Sequence, residues 1–115
     1  MDLREVELNS SYNQLCAKLS QTFGKKPDLN GILFLIGVQE LGKGVQNFSK
    51  EQKQDLMHIA TCKLLSQAGF YSLSHKDQDG WPHWNKVSDL PFLSVDEQEK
   101  FLKMMAIEYF NEIGI

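Results

Sequence analysis

Trp81-Pro82-His83-Trp84 is the most unusual chemistry in the chain, and Asp77 and Asp79 stand just before it. Both tryptophans of the protein fall within these four residues. A tryptophan outside helical patterning is enriched at recognition surfaces, because a rigid ring contributes contact area at little entropic cost. Pro82 fixes its own φ and limits Trp81 to extended conformations, so part of the ordering cost of binding is already met. With both rings on one side, an aromatic surface beside two carboxylates accepts an apolar or cationic group, and His83 makes such a contact pH-sensitive. Trp81, His83, Trp84, Asp77 and Asp79 are therefore candidate binding residues. The competing reading is that the two rings simply cover the end of a helical core.

Glu40 interrupts the most apolar segment of the chain. Burial would raise its pKa, and perturbed carboxylates mark functional sites; alternatively it lies on the last turn of a helix and reaches solvent. His58 and Cys62 are four residues apart on one helical face, a spacing that begins a zinc site. No second ligand pair with metal-like spacing accompanies them, so a histidine and a packed thiol at the rim of an apolar face is the favoured reading. Gly37 to Gly44 fits G-x-x-x-x-G-K, but Gly44 stands where a phosphate loop needs a hydroxyl for magnesium, and no helix opens directly after it. These glycines read as a helix ending. A calcium loop aligned on Gly80 would place His75 and Lys86 at positions that require acids. G-x-S-x-G and H-E-x-x-H are absent. No catalytic residue, metal or cofactor is expected.

The 12 basic and 15 acidic residues leave a net charge of −3. Arg4 is the only arginine and the lysines are dispersed, so nucleic acid is not an expected partner: phosphate neutralisation and bidentate base recognition lack their raw material. Cys16 and Cys62 lie in helical patterns and read as buried free thiols. The first ten residues carry Asp2, Arg4, Glu5 and Glu7 where a signal peptide is apolar. The longest apolar run, Ile32–Ile36 with Gly37 and Val38, is far short of the roughly 20 residues of a membrane span. A cytoplasmic protein with no membrane contact is expected.

Four helical elements must position these residues. Tyr12, Leu15, Cys16, Leu19 and Phe23 are spaced by threes and fours, with Asn9 or Ser10 as cap and Gly24 as stop. Asp28 caps a second segment, Leu29 to Leu41, which is apolar all round and therefore central. Gly31 and Gly37 within it imply close approach of a neighbouring helix; a buried strand at 31–38 is the alternative. Ser49 with Gln52 forms a capping box opening a helix through Ala68, where Gly69 and Phe70 predict a Schellman ending. Ser94 with Glu97 repeats the box for a last helix to about Glu112. Between these helices, Tyr71 to Leu93 alternates and turns at Asp79-Gly80, reading as a β-hairpin with Pro82 on an edge strand, or as an ordered loop.

The run from Gly31 to Gly42 (GILFLIGVQELG), followed by Asp79 to Trp84 (DGWPHW), resembles small uncharacterised bacterial proteins of similar length. That resemblance spans most of the chain. It implies a compact, mainly helical domain and transfers no active site. The fold expected is mainly α: one four-helix domain over residues 1–115, with a hairpin or ordered loop before the last helix. The function expected is a non-enzymatic interaction module, self-associating as a homodimer through the broad apolar face of Phe101–Ile113, with an unidentified protein as further partner. The alternative is a small-molecule-binding protein or enzyme with a pocket near Glu40, His58 and the Trp81–Trp84 loop.

Overall fold

Helix-forming stretches bounded by caps set the element order α1 (Leu3–Phe23), α2 (Leu29–Leu41), α3 (Lys50–Gln67), β1 (Tyr71–Lys76), β2 (Pro82–Lys86) and α4 (Val95–Glu112). The computed structural model describes residues 3–44 and 46–115; Met1, Asp2, Val45 and the side chain of Phe23 lie outside them. The protein is mainly α-helical, with one two-stranded antiparallel hairpin. The segment 31–38 is helical and not a strand. No helix among the described residues is long and apolar enough to cross a membrane.

Both capping boxes form. The Ser49 hydroxyl accepts from the Gln52 amide at 3.1 Å while the Gln52 side chain accepts from the Ser49 amide at 2.9 Å. Ser94 and Glu97 repeat this at 3.2 and 3.1 Å. At the end of α3 the Phe70 amide donates to Leu65 and the Gly69 amide to Ser66, with Gly69 at φ +87°. This is the Schellman arrangement, satisfying carbonyls that the helix end would otherwise orphan.

The chain divides into two compact units, Met1–Leu29 with Leu93–Ile115, and Asn30–Phe92. In the first, α1 packs along α4. Contacts advance together along both helices: Glu5 pairs with Lys100, and the Lys103 ammonium lies 4.7 Å from the Tyr12 ring centroid. The two helices therefore run parallel. Leu15, Cys16, Leu19, Ala106, Tyr109 and Phe110 are buried. The start of α1 departs from expectation: the helix begins at Leu3, leaving Asn9 and Ser10 as exposed residues within it rather than caps. Exposed Asn and Ser cost a helix only tenths of a kcal/mol each, and the Glu5 ion pair and half-buried Leu8 hold the added turns.

In the second unit, α2 is buried at Ile32, Leu33, Ile36, Gly37 and Leu41. It meets α3 at Gly37, where a Cβ would fall 2.9 Å from the Leu56 Cβ and closer still to the Leu56 carbonyl. Leu41, Phe48 and Leu56 form a buried cluster joined by Phe34, Val38 and Trp81. The Phe34 and Phe48 rings meet edge-on at 6.0 Å. The helix-ending reading of the glycine-rich run is what the fold shows: α2 stops at Leu41, and Gly42 takes φ +74°. The hairpin lies against α3.

Candidate functional site

The candidate residues of the hairpin are organised by one carboxylate. Asp77 Oδ1 accepts from the Asp79 and Trp81 amides, each at 2.9 Å, and Oδ2 lies 3.0 Å from His83 Nε2. The His83 hydrogen bond first, and the Trp81 and Asp79 amides with it, hold the Asp77 carboxyl below its ordinary pKa. The Gly80 amide donates to the Asp77 carbonyl, and the Asp77 amide to that of Trp81. Gly80 takes φ +85° while Asp79 stays at negative φ. The loop is thus a turn closed by one left-handed glycine, the three-residue hairpin connection, and not a two-residue turn needing both residues left-handed.

Register then separates the aromatic residues. Tyr71 pairs with Lys86, Leu73 with Trp84, His75 with His83, and the alternation shifts between Leu73 and His75. The His75 and His83 rings stack at 4.8 Å with planes 5° apart, both exposed. Trp81 turns to the Leu41–Phe48–Leu56 cluster and is half-buried. Trp84 is half-buried, its indole Nε1 shielded from solvent and lacking a hydrogen-bond partner. Asp79 is exposed.

Trp84 also lines a cavity of about 390 Å³ with Glu40, Lys63, Leu73, Lys76 and Pro82. Ser66 and Ser72 complete its wall. Its volume falls within the roughly 300–1,000 Å³ of small-molecule sites. Four elements contribute: the last turn of α2 brings Glu40, α3 brings Lys63 and Ser66, and the two strands bring the rest. Glu40 is half-buried here. His58 is not among the lining residues; it is exposed on α3 with its Nε2 3.6 Å from the Cys62 sulfur. Burial pushes the Cys62 thiol above its ordinary pKa, the behaviour of an inert packed sulfur. Cys16 and Cys62 are both buried and free. Among the described residues, no three His, Cys, Asp or Glu side chains are placed to share a metal ion.

No family model, curated protein or solved structure matches the chain.

Lys63 and Lys76 were not singled out by sequence reasoning. Each reads alone as one solvated lysine among eleven, and only the hairpin register and its packing on α3 bring them to one concavity. The His75–His83 stack was legible in part, since the two histidines flank the Asp-Gly turn; the shift at Ser74 that aligns them was not.

Proposed function

We propose that the protein is a non-enzymatic cytoplasmic interaction module, a four-helix domain akin to small helical bacterial proteins, which acts as a homodimer. The supporting observation is an open groove of about 580 Å³ on the α1–α4 unit, with Leu8, Met104 and Ile107 on its floor. Met104 is 49% exposed on it. An apolar strip flanked by charged residues has the anatomy of an interface core and its polar rim. The rim carries Arg4 and Lys100 against Glu5 and Glu7, so it is balanced in charge. A second copy of the same face, related by a twofold axis, therefore meets no net like-charge repulsion. Sedimentation equilibrium at micromolar concentration is expected to give twice 13.2 kDa, and Met104→Glu to give a monomer of unchanged helicity. A wild-type monomer would overturn the reading.

A further inference from the structure

We propose that the cavity between α2, α3 and the hairpin is a binding site for a small organic monocarboxylate with an apolar body. Two ammonium groups, Lys63 and Lys76, share its wall, and neither has an ion-pair partner among the described residues. Two ammonium groups against a single carboxylate leave the wall with net positive charge, which an anionic ligand neutralises while accepting charge-assisted hydrogen bonds. The other elements of the wall define the rest of the ligand. Leu73, Pro82 and the Trp84 ring are apolar and take a hydrocarbon or aromatic body. Glu40 is the only acid of the wall, so its formal charge is +1. That balance suits one carboxylate and disfavours dianions. Ser72, exposed on β1, adds a hydroxyl for a second ligand oxygen. The site is independent of the α1–α4 groove.

Benzoate is the probe, with benzylamine and hydrogen phosphate as its cationic and purely anionic counterparts. Trp84 Nε1–H is the NMR reporter and Trp81, whose ring packs in the Leu41 cluster, the internal reference. Benzoate is expected to shift the Trp84 signal selectively with a Kd on the order of 1 mM, the scale for a ligand of its size. Lys63→Met and Lys76→Met keep the side-chain stems, and each is expected to weaken benzoate at least fivefold; Lys50→Met, remote from the wall, leaves it unchanged. Glu40→Gln is expected to tighten benzoate and to admit hydrogen phosphate, which the wild type binds more weakly than benzoate. Helicity measured for each variant keeps loss of fold apart from loss of binding. Equal binding of benzylamine, wild-type affinity in both lysine variants, or no response of Trp84 to benzoate would overturn the proposal.

Discussion

Gly37 and Asp77 are the two residues on which the second unit turns, one by lacking a side chain and the other by engaging both of its carboxylate oxygens. Gly37 is where α2 crosses α3 against the backbone of Leu56. Backbone cannot step aside as a flexible side chain does, so even a methyl must push the helices apart. Gly37→Ala is expected to destabilise by about 3 kcal/mol, the upper end of overpacking penalties, although alanine is the better helix former. Urea denaturation checks this; wild-type stability would mean that the helices part without cost. Asp77 acts through charge. Its carboxyl is held below the ordinary value by His83 and two amides, so the stability it contributes is fully present above about pH 3.9 and is lost as pH falls through the folded pKa. The Asp79 and Trp81 amide resonances are expected to titrate with a midpoint below about 3.9. His83→Ala is expected to raise that midpoint, because it removes the largest cause of the shift. A midpoint at the ordinary aspartate value would show that the carboxylate does not hold this loop in solution.

Element by element, legibility followed how local the deciding interaction is. Ser49 and Gln52, or Ser94 and Glu97, are three residues apart, and each box forms as its spacing predicts. The same holds for Gly69 and Phe70 at the end of α3. The beginning of α1 was misread because its cause is remote: Glu5 is held by Lys100, which is close only once α4 is beside α1. Asn9 and Ser10 have the chemistry of caps but sit on the solvent side of a helix already under way. The hairpin shows the boundary clearly. Its existence and its turn were readable from Asp79-Gly80, whereas its register depended on the Asp77 carboxylate and the irregularity after Leu73. That register sends Trp81 and Trp84 to different surroundings, one to the Leu41 cluster and one to the cavity. The cavity itself was half legible: Glu40 and Trp84 were anticipated to meet and do, His58 lies outside the cavity wall, and Lys63 and Lys76 had no local mark.

For the whole molecule, the order of the units along the chain constrains how it unfolds. α1 and α4 come from opposite ends and run parallel, and all of Asn30–Phe92 is inserted between the segments that carry them. Bringing the ends of an unfolded insert of roughly 60 residues together costs about 4 kcal/mol in chain entropy. When the insert is folded, that cost has already been met. The α1–α4 unit is therefore expected to lose its structure before or together with the insert, and never after it. Spectroscopy separates the two units because both tryptophans lie in the insert and none lies in the α1–α4 unit. In urea, the far-UV signal, to which α1 and α4 contribute more than half of the helical residues, is expected to reach its midpoint at or below that of tryptophan fluorescence. The Met104→Glu variant weakens only the α1–α4 unit's association, so it is expected to move the far-UV midpoint at least as far as the fluorescence midpoint. Tryptophan exposure at a urea concentration where the α1 and α4 helicity persists would contradict this order. That result would mean that the terminal helices pair without help from the chain between them.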